Sequence, residues 1–236
     1  MRAVPATRNI PAHRSRNAEH SREAILKAAV REFAQEGVAG ARTDEIARAA
    51  GVNKALLYYY FKDKEGLYGA VLDFTFSGLR EQVVPILDSD LNAGEKIVRY
   101  VSAYFDYLAK SPFLPRLVQL EMMRAGRNPS PHLRKLVTRH FRPLFEKLVK
   151  TFEQGIASRE IRPVDPVQFV PSIVGMCVHY FISAPVVRIF LDADPLAPEH
   201  IAARKAAVLD VVAAALFVDR EHGFRIVQSL HTGVTQ

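Results

Sequence analysis

The sequence predicts an all-α protein: an N-terminal three-helix domain carrying a helix-turn-helix, followed by a larger helical domain. Three observations predict it. Nineteen residues, TDEIARAAGVNKALLYYYF from Thr43 to Phe61, read as two short helices joined by a tight turn. Beyond Lys64, apolar residues recur at helical spacing in long segments separated by Gly and Pro breakers. Nowhere does apolar–polar alternation with β-branched residues last long enough for a sheet.

In the nineteen-residue stretch, Thr43 is expected to cap the first short helix through its hydroxyl. Ile46, Ala47 and Ala50 share one face. Gly51 ends the helix, because it reaches the left-handed conformation without a Cβ clash. Val52 plugs the turn. Asn53 caps the second helix, whose inward residues are Leu57 and Phe61. So short a turn forces a steep crossing, the geometry that points the start of the second helix into a DNA major groove. Lys54 sits in the first turn, where the helix dipole disfavours a cation; a phosphate or a guanine edge would account for it. Tyr58, Tyr59 and Tyr60 are consecutive, so they fan around the helix and cannot all be buried. Exposed tyrosines donate to phosphate oxygens or pack on thymine methyls. Lys64 opens the next helix. A helical hairpin with a tyrosine-rich surface fits the same residues.

The run Thr43, Ile46, Ala47, Ala50, Gly51, Val52, Asn53, Leu57, Tyr58, Tyr60, Phe61, Lys64, Leu67 resembles the DNA-binding segment of the TetR family of transcriptional regulators. The resemblance covers roughly residues 20–68. It implies phosphate contacts at Tyr58 and Lys64, and an operator-facing surface of Thr43, Lys54, Ala55, Leu56, Tyr59 and Tyr60. Leu56 departs from the pattern, which usually has Thr or Ser there. Leucine cannot donate to a phosphate, although it can touch a thymine methyl.

The first helix is expected from Ser21, its cap, to Glu36, with Gly37 as its stop and Ile25, Ala28, Ala29 and Phe33 as its inner stripe. Arg42, in the following loop, is either a phosphate or base contact or a solvated arginine. The 236 residues carry a net charge of +7, which suits a polyanionic partner. The surplus is uneven: residues 1–22 hold five Arg and one Glu, whereas residues 23–66 hold seven basic and seven acidic side chains. Residues 1–19 are therefore expected to form a disordered basic arm, with Arg8, Arg14 and Arg16 either along phosphates or in solvent. The domain reading is 20–66 for the helix-turn-helix unit, 67–221 for effector binding and dimerisation, and 222–236 for a tail.

The later helices are expected at about Ala93–Lys110, Pro112–Ala125, Pro131–Ser158, Asp165–Leu191 and Pro198–Val218. The last two are apolar nearly all round and must be covered on all sides. A two-fold copy would cover them by forming a four-helix bundle, as the resemblance also implies. The uncharged run Val167–Val187 is near the length of a membrane span. Its soluble-type start, Asp165-Pro166, favours a buried helix, so no membrane association is expected.

Several polar or soft residues interrupt these apolar segments: Tyr104, Tyr107, Glu121, Met122, Met123, His140, Phe141, Met176, Cys177, His179 and Tyr180. They are either plain core or the lining of a cavity for an organic effector. There is no GxSxG, P-loop, GxGxxG or HExxH. The single cysteine supports neither a disulfide framework nor a cysteine-based zinc site. No cofactor and no metal are expected, and no enzymatic activity. The expectation is a cytoplasmic homodimeric regulator, most simply a repressor, whose partners are a palindromic double-stranded DNA operator and a small-molecule effector of unknown identity. A helical protein-interaction module with a basic arm, or an enzyme using Glu121 and His140, are the competing readings.

Overall fold

A computed structural model describes residues 12–125 and 129–232, with side chains described from 17 to 124 and from 129 to 230. The elements are α1 (Ala12–Gly40), α2 (Thr43–Ala49), α3 (Lys54–Phe61), α4 (Lys64–Leu87), α5 (Ala93–Lys110), α6 (Leu114–Ala125), α7 (Pro131–Leu136), a π-turn (Val137–Phe141), α8 (Arg142–Ala157), α9 (Pro166–Ile182), α10 (Ala184–Leu191), α11 (Pro198–Leu216) and α12 (Arg220–Thr232). Among the described residues there is no strand, only an isolated antiparallel bridge between Ile161 and Phe217. The chain divides into two compact units, 1–74 and 75–236, with the division inside α4.

In the first unit, Ile25, Leu26, Ala29 and Phe33 of α1 meet Ile46 and Ala47 of α2, Leu57 and Phe61 of α3, and Leu67, Tyr68 and Val71 of α4. Phe33 and Tyr68 pack edge to face at 5.2 Å. This is an amphipathic solution: each short helix offers one apolar stripe and none folds alone. Helix α1 starts nine residues before the expected cap. Residues 12–19, expected in the arm, are helical, and Ser21 is an interior residue whose hydroxyl donates to the Asn17 carbonyl. The expectation for residues 1–11 and for the side chains of Arg14 and Arg16 lies outside what is described. Gly37 does break the helix, at φ 66° and ψ 176°.

The second unit is layered around α5, which buries Ile97, Val98, Tyr100, Val101, Tyr104, Phe105 and Leu108. Helices α8, α9 and α11 pack on it. The predicted Pro131–Ser158 segment is continuous but carries a π-turn at Val137–Phe141. The predicted Asp165–Leu191 helix is two helices, α9 and α10, bent by 66°. Pro185 explains the break, because it has no amide to donate and its ring clashes with the carbonyl one turn earlier. Among the described residues no single helix is long and apolar enough to cross a membrane.

The tail expected from residue 222 is largely helix α12. The Asp219 carboxylate accepts from the amides of Glu221 and His222, Val227 is buried, and α12 packs on α11 and α5. An Asp followed by Ile226, Val227 and Leu230 at helical spacing is a readable helix start.

Candidate nucleic-acid interface

Helix α2 ends in a Schellman motif: the Val52 amide donates to the Ala47 carbonyl and the Gly51 amide to the Arg48 carbonyl. Gly51 sits at φ 68°, which explains the glycine. Asn53 then caps α3, its side-chain oxygen accepting from the Leu56 amide at 2.7 Å. The cap and the glycine thus set the crossing of α2 and α3 within three residues.

Thr43 is not a cap. The cap position is Arg42, without a side-chain hydrogen bond, and Thr43 is the first helical residue, nearly buried. Its hydroxyl faces Tyr58 Oη at 3.0 Å. That pairing draws Thr43 inward, because a buried hydroxyl must find a partner. Tyr58 is 39% exposed and Tyr59 80%. Tyr60 is half-buried and meets Tyr59 edge to face at 5.4 Å. Lys54 and Ala55 are exposed and Leu56 half-buried. Together these side chains form the outward face of α3, opposite Leu57 and Phe61.

Arg42 is engaged locally. Its guanidinium pairs with Asp44 at 2.8 Å, and its amide donates to Glu32. A backbone hydrogen bond and then the Arg42 guanidinium hold the Asp44 carboxyl below its ordinary value. Lys64 Nζ donates to the carbonyls of Ala39, at 3.0 Å, and Ala41, at 3.2 Å, where α1 ends. A lysine on terminal carbonyls satisfies groups that the helix leaves open. The joint from α3 to α4 is equally tight: Lys62 has φ 65° and ψ −58°, and the Asp63 amide donates to Phe61 O at 2.7 Å. A Cβ on Gly66 would lie 2.3 Å from that same carbonyl, so α4 can start here only with glycine at this position.

The residues expected at an effector cavity are not gathered in one place. In α6 the buried positions are Leu114, Pro115, Leu117 and Glu121, so Met122 and Met123 fall on other faces and are 60% and 72% exposed. His179 is likewise exposed on α9. These three are corrections to an inward lining. Glu121 is buried and accepts from Ser130 Oγ. Tyr107 donates to Thr75 O. His140 is buried in the π-turn, its ring 6.1 Å from Phe76, which also meets Phe141. By contrast Tyr104 lies on α5 and Met176, Cys177 and Tyr180 on α9, and these helices pack on each other and on α11. The sequence reading missed two members of that group, Tyr100 and Arg204. Tyr100 is one helical turn from Tyr104 and its ring stacks on it at 6.1 Å. Its spacing was a usable signal; Arg204, 27 residues after Cys177 in sequence, had none.

Comparison with known proteins agrees with this geometry. The model of the "Bacterial regulatory proteins, tetR family" matches residues 25–71, and that of the "Tetracyclin repressor-like, C-terminal domain" matches residues 94–212. The HTH-type transcriptional regulator RutR of Escherichia coli strain K12 is 32% identical over 182 residues, which span 74% of this chain and 80% of RutR. Two solved structures share the fold. The ketosteroid transcriptional regulator KstR2 of Mycobacterium tuberculosis superposes with a TM-score of 0.67 at 21% identity, over 84% of this chain and 95% of that one. FadR of Bacillus subtilis, solved with stearoyl-CoA, superposes with a TM-score of 0.62 at 23% identity, over 82% and 98%. With both family models in sequence register, and a relative matched along most of its length, the chain belongs to the TetR family of bacterial regulatory proteins.

Proposed function

We propose that the protein is a ligand-responsive repressor that binds a palindromic operator as a homodimer and leaves it when a small organic effector binds. The observation that carries the reading is the outward face of α3. Lys54, Ala55 and Leu56 stand at the capped start of a short helix, with Tyr59 beside them, and none is needed to close the three-helix core. Lys54 meets phosphate or a guanine edge, Ala55 and Leu56 meet thymine methyls, and Tyr59 and Tyr60 meet backbone or base edges. Tyr58 and Asn53 hold the helix in place and reach phosphate with what capacity remains. Arg42 and Lys64 belong to the rim, where their local bonds compete with phosphate.

The second support is an apolar surface in the regulatory unit. Helix α9 exposes Val167, Pro171 and Gly175, and its neighbour α11 exposes Ala203, Ala207 and Val211. A two-fold copy covers both, and small residues let helices approach closely. Two copies of α3 about 34 Å apart then reach successive major grooves. Effector binding acts through its differential affinity for operator-competent and incompetent dimers. FadR, with stearoyl-CoA bound, shows a ligand in a protein of this fold.

The test is fluorescence anisotropy with duplexes from the DNA flanking the protein's own gene. The expected result is a preference for an inverted repeat over random sequence, retained at moderate ionic strength. Equal affinity for both duplexes would overturn the proposal.

A further inference from the structure

Where α5, α9 and α11 pack together, polar groups accumulate in an apolar setting. Tyr100 and Tyr104 are 3% and 7% exposed, and neither hydroxyl has a hydrogen-bond partner among the described residues. Arg204 comes from the third helix. One of its Nη atoms donates to Met176 O at 3.0 Å, and its guanidinium lies 5.6 Å from the centre of the Tyr180 ring. Its Nε is buried with no partner, and no carboxylate of the described residues pairs with it. Its neighbour Lys205, by contrast, has Asp106 at 2.7 Å. Cys177 is buried on α9, and the helices that carry the tyrosines and Arg204, α5 and α11, pack on α9 and on each other.

Among the described residues neither phenol is spent on a protein group, and the buried Nε of Arg204 lacks the hydrogen bond that its burial calls for. A single bound molecule could satisfy all of them. It would need a negative charge for Arg204, acceptor oxygens for Arg204 Nε and the two phenols, and an apolar body to lie among Phe105, Phe181 and the tyrosine rings. One guanidinium supplies one positive charge, which matches a carboxylate monoanion better than a phosphate dianion. Tyr180 leaves its ring face to Arg204, because its own hydroxyl is spent on Pro195 O.

We propose that Tyr100, Tyr104 and Arg204 form the acid-binding end of the effector site, and that the effector is a small organic carboxylate with an apolar body. This rests on the effector reading above and deepens it.

The experiment uses the full-length protein and matched probes: phenylacetate and phenylacetamide, hexanoate and hexanamide, with phenyl phosphate as the dianion. Binding is read by thermal shift and calorimetry, and operator release by anisotropy. At least one acid is expected to bind while its amide does not. Arg204→Gln should weaken that acid about tenfold or more, as loss of a hydrogen bond to a charged group does. Arg204→Lys should restore only part of it. Tyr104→Phe removes a single unpartnered hydroxyl, so it should weaken acid binding severalfold while leaving the melting temperature of the free protein equal or higher. A purely structural tyrosine would give the opposite melting result.

Acid and amide binding alike, undiminished acid binding by Arg204→Gln, or no binding by any acid would each overturn the carboxylate assignment. Tighter binding of phenyl phosphate than of either acid would overturn it in favour of a phosphate. Acid binding that leaves operator affinity unchanged would uphold the acid site and remove the effector reading. Operator release by a neutral probe, with no acid bound, would do the reverse.

Discussion

Thr43 Oγ1 lies 3.0 Å from Tyr58 Oη, tying the first residue of α2 to the middle of α3. The bond locks the recognition helix against its support at a point that Leu57 and Phe61 do not reach. Thr43→Val and Tyr58→Phe should each lower stability by about 0.5–1.5 kcal/mol, read from urea melts. The double variant should cost less than the sum, because both changes remove one interaction. Additive losses would mean that the two hydroxyls act separately.

Asn53 offers a separation of fold from recognition. Asn53→Ala should cost about 1 kcal/mol by removing the cap on α3. Asn53→Asp keeps the cap and adds a negative charge beside the DNA face. It should melt like the parent and bind operator more weakly, by anisotropy.

The two lysines flanking α3 should respond differently. Lys54 is exposed at the helix start, so Lys54→Ala should leave the melting temperature unchanged and lower the salt slope of operator binding by about 1. Lys64 bonds the carbonyls of Ala39 and Ala41. Lys64→Ala should therefore lower the melting temperature first; a full loss of slope at unchanged stability would make it a phosphate contact instead.

Ala207 and Val211 are exposed on α11. Ala207→Glu and Val211→Asp should leave the helical signal of circular dichroism intact, since neither side chain is in the core. They should halve the mass measured by light scattering and abolish operator binding. A parent protein already at monomeric mass would remove the dimer from the proposal.

Cys177 is buried, and burial pushes its thiol up to about 12. At pH 8 its thiolate fraction is then smaller by on the order of a thousandfold than that of an unperturbed thiol. Ellman's reagent should react with the native protein only as fast as it unfolds, and promptly in urea. Prompt native reaction would mean that this part of α9 is open.

Much of this molecule could be read from its residues in order. Gly51, Asn53, Leu57 and Phe61 announced a turn, a cap and an inward stripe, because backbone strain and helical period act over a few neighbours. The same locality explains the exact bounds of α5 and the stop at Gly37. What could not be read was which partner each polar side chain would choose. Thr43 looked like a cap but is drawn to a hydroxyl fifteen residues away. Lys64 looked free for phosphate but closes the end of α1. Met122 and Met123 looked like pocket lining but lie off the buried stripe of α6. Arg204 gave no sign at all, and it meets Met176 and Tyr180 only because α9 and α11 pack together. Local geometry follows from covalent neighbours, whereas hydrogen bonds and charges are settled by whichever groups the packed helices bring within about 3 Å.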